Sequence, residues 1–189
     1  MASSKRLIVG LGNPGETYSQ TRHNVGFQVI DALAERLSLE LKKKGSTLLG
    51  WGRWKGRPIG LSKPVLFMNR SGVAVEELAR KQGLESVDIL VIVDDINLPI
   101  GRIRIRERGG DGGHNGLEDV IDWLDTDSFP RLRIGIGSDF ERGRQADYVL
   151  SPFSEEEQTL IQDSILTATE AALTFVTDGI VTAMNRFSK

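Results

Sequence analysis

The stretch Asp88-Ile89-Leu90-Val91-Ile92-Val93 constrains this chain more than any other. A strand turns successive side chains to opposite faces, so an unbroken apolar run needs cover on both. That is the middle of a sheet with helices above and below. The rest of the pattern supplies the partners. Leu7 to Gly10 reads as a first strand, and 47–54, 58–66, 102–107 and 131–136 as further strands, with a turn at Lys55-Gly56-Arg57-Pro58. Val25, Val29, Ile30, Leu33 and Leu37 recur at helical spacing, which predicts a helix over 25–37. A second helix runs from Ser71 to Gln82 and stops at Gly83; a third, from Asn115 to Leu124, turns Leu117, Val120, Ile121 and Leu124 inward. Ser154-Glu155-Glu156-Glu157 is a capping-box signature for a long helix whose core stripe is Leu160, Ile161, Ile165, Ala168 and Ala172. Asp178-Gly179 breaks it before a last helix over 180–186. Strands alternating with helices predict an α/β fold: a mixed, mostly parallel, twisted central sheet flanked by helices on both faces. With no repeat, low-complexity segment or linker, one domain is expected over 1–189.

The chain has no cysteine, so thiol catalysis, disulfides and thiolate metal sites are excluded. Met1 to Arg6 lacks the apolar core of a signal peptide, and no run approaches the roughly 18 apolar residues of a membrane span. The expectation is a cytoplasmic protein. The net charge of −2 does not itself point to nucleic acid, but its distribution is uneven. Arg102, Arg104, Arg106 and Arg108 alternate with Ile103, Ile105 and Glu107, and Arg131 and Arg133 repeat the spacing. On strands this puts arginines side by side. Such a face is either simply solvated or built for an anion, because neighbouring like charges are unfavourable without one.

Gly10-Leu11-Gly12-Asn13-Pro14-Gly15 follows the first strand and matches the spacing of a dinucleotide-binding turn. In that fold the helix begins inside the motif, so that its amides meet the pyrophosphate. Here Pro14 intervenes, and no apolar helical stripe appears before Val25. The segment reads better as a turn at the C-terminal end of a strand, where open α/β sheets place their sites. A second glycine-rich stretch, 109–116, follows the arginine strand and displays His114 and Asn115 at a helix start. It is either a mobile loop or a place where backbone approaches a ligand closely.

Both histidines, His23 and His114, lie in polar segments at predicted helix starts rather than on apolar faces. Asp94 and Asp95 end the apolar strand, and Asn69 stands just before a helix, where its commoner use is a cap. One imidazole, one carboxylate and several amides suit a water-activating hydrolase. The carboxylate would hold the ring tautomer, the other ring nitrogen would take a proton from water, and amides would stabilise an oxyanion. No Gly-x-Ser-x-Gly elbow argues for a serine nucleophile. His23, His114 and Asp94 could also form a two-histidine, one-carboxylate metal set, although their spacing shows no ligand motif.

Five segments in order, "LIVGLGNPGETYSQTRHNVGF", "FMNRSG", "VDDINLP", "GGDGGHNGL" and "RLRIGIG", resemble the bacterial peptidyl-tRNA hydrolase family from about Leu7 to the C-terminal helices. The resemblance implies a single-domain, cytoplasmic, monomeric enzyme with no cofactor or metal. It would hydrolyse the ester between a peptide, or an N-blocked amino acid, and the 3′ ribose of tRNA, and so recycle tRNA from prematurely released peptidyl-tRNA. It implies that His23 is the base and Asp94 its orienting partner. Asn13, Asn69 and Asn115 match the family's site asparagines, Tyr18 and Met68 its pocket lining, and His114 its second histidine. Arg104, Arg106 and Arg133 fall at positions that engage tRNA phosphate. The sequence departs from the family's habits at Asn97, Arg108 and Asp111. Two rivals remain at this point: a non-catalytic RNA-binding relative of the splicing-facilitator kind, and an oxidoreductase using the glycine turn.

Overall fold

In the computed structural model, which describes residues 4–188, the apolar run forms β5 (Ile89–Asp95), buried at every position. Residues 1–3, part of the segment read above for a signal peptide, and Lys189 lie outside the described residues. β5 runs parallel to β1 (Arg6–Gly10) on one side and β7 (Arg131–Gly135) on the other. The seven-stranded sheet has the order β2-β3-β4-β1-β5-β7-β6. β4 (Arg57–Pro64) continues the parallel centre. β3 (Thr47–Trp54) and β2 (Lys42–Lys44) add antiparallel pairings at one edge, and β6 (Ile103–Arg106) at the other.

Alternation sorts the strand side chains onto two cores. Ile8, Leu90, Ile92, Leu132 and Ile134 pack beneath α1 (Val25–Leu37), α5 (Glu155–Asp178) and α6 (Ile180–Phe187). Leu7, Val9, Ile89, Val91 and Val93 pack beneath α2 (Ser71–Gln82) and α3 (Asn115–Leu124). Each such side chain contributes roughly 1.5–3 kcal/mol relative to exposure. A charge at Val91 would have no open face to escape to.

The helix limits follow from their ends. α1, α2 and α3 stop at left-handed residues, Ser38 (φ 51°), Gly83 (φ 64°) and Asp125 (φ 52°). The expected capping box opens α5: Ser154 Oγ accepts from the Glu157 N–H at 3.3 Å, and Glu157 Oε2 accepts from the Ser154 N–H at 2.8 Å. One residue of the expected stripe is wrong. Leu160 is 49% exposed, whereas Ile161, Ile165, Ala168 and Ala172 are buried. A single residue turns the helix by about 100°, which carries Leu160 off the face centred on Ile161.

The structure also decides what the glycines of the first turn do. A Cβ on Gly10 would lie 2.2 Å from the Gly26 carbonyl oxygen, and one on Gly12 would strike the Phe27 ring at 2.7 Å. They let α1 lie against the end of β1. The chain then passes through Gly15 (φ 99°) into a one-turn 3-10 helix, Glu16–Tyr18. No helix starts inside the motif, so its backbone does not form a pyrophosphate cradle.

Candidate active site

The C-terminal ends of β1 and β5, the turn after β4 and the start of α3 surround a cleft of about 430 Å³. This is the crevice that an open α/β sheet offers where successive connections leave for opposite faces. His23, Asp94, Met68, Asn69, His114 and Asn115 all line it, as does Asn13.

His23 sits in a one-turn 3-10 helix, Arg22–Asn24, just ahead of α1. Its Nδ1 lies 2.9 Å from both carboxylate oxygens of Asp94. His114, the N-cap of α3, places Nε2 2.8 Å from Asp94 Oδ1 and accepts the Leu117 N–H at Nδ1, 3.1 Å away. The bonding pattern assigns both tautomers. Leu117 needs a lone pair on His114 Nδ1, so the proton of that ring is on Nε2, donated to Asp94. His23 donates from Nδ1, which leaves Nε2 for the cleft. Burial pushes the Asp94 carboxyl up. The charges and hydrogen bonds of His114 and His23 outweigh that and hold it below the usual carboxylate range.

The ligating atoms of His23, Asp94 and His114 also lie within 4.8 Å of one another, so the two-histidine, one-carboxylate set does assemble. Its bonding does not suit a cation. The nitrogens that face Asp94 carry protons, and freeing the lone pair of His114 Nε2 would break its bond to Leu117.

The three expected asparagines divide in two. Asn13 is tied down: its Oδ1 accepts the Met68 N–H at 2.7 Å, and its backbone N–H and C=O pair with the Asn24 amide at 2.8 and 2.9 Å. Asn69 and Asn115 are exposed, and neither side chain is hydrogen-bonded among the described residues. Each stands at the start of a helix, where the partial positive charge of the backbone favours an anion. The two helix starts are clamped: Asp119 Oδ2 accepts the Gly72 N–H at 2.7 Å, and a Cβ on Gly116 would meet Met68 Sδ at 2.5 Å. Tyr18 lies outside the lining but packs edge-on against Phe67, ring centroids 6.4 Å apart.

Sequence reasoning missed Phe67, which is 58% exposed at the cleft, and gave no role to Asp95, which also lines it. It also missed the wall formed by α4 (Gln145–Val149) and Leu150. Ala146, Val149 and Leu150 fall at i, i+3 and i+4, a signal present in the sequence but too short to stand out.

The arginine face is real and unequal. β6 and β7 pair with Arg104 opposite Arg133 and Arg106 opposite Arg131. Arg104 and Arg106 are exposed. Arg131 is buried, its guanidinium donating to the carbonyls of Gly109, Gly110, Asp127 and Phe129. Burial, then the Arg133 charge, push its pKa down to about 10, so it stays cationic at neutral pH. Arg133 has a side chain only 12% exposed; it donates to Gly110 O at 2.7 Å and Asp111 O at 3.4 Å, and stands 3.8 Å from Asp95. Asp111 and Asn97 brace the same loop, Asp111 Oδ1 accepting from the Gly113 N–H at 2.6 Å and Asn97 Nδ2 donating to Gly112 O at 3.5 Å.

A buried carboxylate bonded to an imidazole, with unpaired amides beside it at the C-terminal edge of a parallel sheet, fits an α/β protein of the water-activating hydrolase class. The comparisons narrow the class. The peptidyl-tRNA hydrolase family model matches residues 7–189. A peptidyl-tRNA hydrolase of Salinibacter ruber is 50% identical over all of both chains, and one of Alkaliphilus oremlandii is 45% identical over 96% of this chain and 98% of its own. The crystal structure of peptidyl-tRNA hydrolase from Acinetobacter baumannii superposes with a TM-score of 0.93 at 35% identity, covering 100% of this chain and 98% of that one. The chain belongs to the peptidyl-tRNA hydrolase family. A uridine phosphorylase from Vibrio fischeri, 11% identical with a TM-score of 0.56, shares the fold alone. None of these relatives supports the splicing-facilitator alternative.

Proposed function

We propose that this chain hydrolyses the ester linking a peptide, or an N-blocked amino acid, to the 3′ ribose of tRNA, with His23 as general base. One observation carries the reading: Asp94 occupies His23 Nδ1 and leaves Nε2 for the cleft. In that tautomer Nε2 takes a proton from water as the oxygen attacks the ester carbonyl, and Asp94 stabilises the imidazolium that forms. Asn69 and Asn115 supply amide donors to the carbonyl oxygen as it gains charge, aided by the starts of α2 and α3. The imidazolium then returns its proton to the departing ribose oxygen. Asn13 acts at one remove, through the Met68 backbone, and the Tyr18–Phe67 pair extends the apolar rim.

Arg104 and Arg106 are the accessible cations for tRNA phosphate, with the rest of the Arg133 fork behind them. Contacts to phosphate position RNA without reading its sequence, as a substrate class of many tRNAs requires. The protein acts in the cytoplasm as a monomer. Among the described residues no helix is long and apolar enough to cross a membrane. The test sets N-blocked aminoacyl-tRNA beside free aminoacyl-tRNA. Selective release of the blocked amino acid is expected; no release, or equal release from both, rejects the reading.

A further inference from the structure

The turn that carries the base is held by its neighbours in sequence. Asn24 pairs with the Asn13 backbone, and His23 reaches Asp94. Arg22 reaches into the C-terminal half of the chain and is 6% exposed. Its Nη2 lies 2.8 Å from Glu157 Oε2, its Nε donates to Ser151 Oγ at 3.3 Å and its Nη1 to the Ile136 carbonyl at 3.4 Å. The guanidinium is 4.3 Å from the ring centre of Tyr148 and 5.0 Å from that of Phe153. The Arg22 N–H also bonds Ser151 O at 2.9 Å, beside a bridge between Thr21 and Pro152. Tyr148 donates to the same Ile136 carbonyl at 2.6 Å, so α4, the wall of the cleft, is tied to the same point.

Burying a guanidinium beside a partly exposed carboxylate is a poor device for stability alone, since apolar residues of equal volume often serve as well. What this one supplies is direction. A planar fork between two rings, bonded at its edges, has one orientation, and a lysine cannot reproduce it. We infer that Arg22 is a positioning residue: its guanidinium, sealed between Tyr148 and Phe153 and paired with Glu157, fixes the turn from which His23 meets Asp94. The inference rests on the proposed role of His23 as base.

Arg22→Met is the direct test. It fills the slot between the rings and leaves Glu157, which is partly exposed, in the cap of α5. Turnover should fall about tenfold or more, because small misplacements of a catalytic group are costly, while KM changes by no more than about twofold. The second readout is proton NMR of the two imidazole N–H groups bound to Asp94. The His23 Nδ1 proton should broaden or vanish while the His114 Nε2 proton persists, since Arg22 braces only one of the rings. Unchanged turnover overturns the inference, as does lost turnover with the His23 signal intact. Loss of both signals together also overturns it, by showing general loosening. Should Arg22→Met fail to fold, Glu157→Gln keeps an acceptor for the Ser154 cap and is read by the same signals, with the same outcomes expected in weaker form. If wild-type protein released no blocked amino acid, the catalytic reading would fail, and the wild-type and variant proton signals would still report whether Arg22 holds His23.

Discussion

His23 and His114 both donate to Asp94, at 2.9 and 2.8 Å, but their remaining ring nitrogens meet different surroundings. That of His114 is taken by the Leu117 N–H, so the ring serves as a helix cap and offers no lone pair to the cleft. That of His23 is left to the cleft. Identical side chains on one carboxylate are thus separated, in the proposed reaction, into a base and a brace by what the far nitrogen touches. Acid–base chemistry belongs to an unoccupied lone pair, not to a histidine as such.

The comparison can be broken in four ways. His23→Ala should lose at least ~100-fold in turnover, the scale of a general base, while tRNA binding measured by filter retention survives. Retained turnover would assign the base elsewhere. Asp94→Asn should fold and lose about tenfold or more, because an amide offers one acceptor to two ring donors and turns one imidazole away. Full activity would mean that His23 works unassisted. His114→Ala should cost turnover less than either and lower thermal stability by about 1 kcal/mol through the lost cap. His114→Asn should recover the stability, and a His114→Ala loss as deep as that of His23→Ala would erase the distinction. The smallest effect is on acid stability. Asp94 is held below the ordinary carboxylate range when folded and returns to about 3.9 when unfolded. Its stabilisation is therefore complete above about pH 4 and drains away as the pH falls further. Melting scans should show wild type losing stability below that point more steeply than Asp94→Asn; parallel curves would mean the two imidazoles do not stabilise the carboxylate.

Much of the frame was legible because its signals are local. The limits of α1, α2 and α3 agree with the apolar period and the residues that stop it. β2 carries three exposed lysines and α4 only five residues, so neither has a period long enough to read. Lysines also suit an edge that must not pair further. Leu160 failed because a stripe is read from spacing alone, whereas its centre is set by the sheet it meets. At the site, His23, Asp94, Asn69 and Asn115 were visible as polar residues at element ends, and the family resemblance supplied the roles proposed for them. Invisible were the long-range partners: Asn24 on Asn13, Arg22 on Glu157, and the loop carbonyls that occupy Arg131. Alternation put Arg131 and Arg133 on the right face but could not say that a glycine-rich loop would fold over them.

The contact between Gly10 and Gly26 reaches further than packing. It works as a depth gauge: the bare backbones set how low α1 rides on β1, and His23 is attached two residues ahead of that helix. A methyl group added there would lift the imidazole off its carboxylate without altering the lining of the cleft. Inactivating substitutions in proteins of this design should accordingly gather beneath the helix as well as around the cleft, and a glycine spacing that imitates a nucleotide fingerprint is what keeps the His23 ring at its proper height.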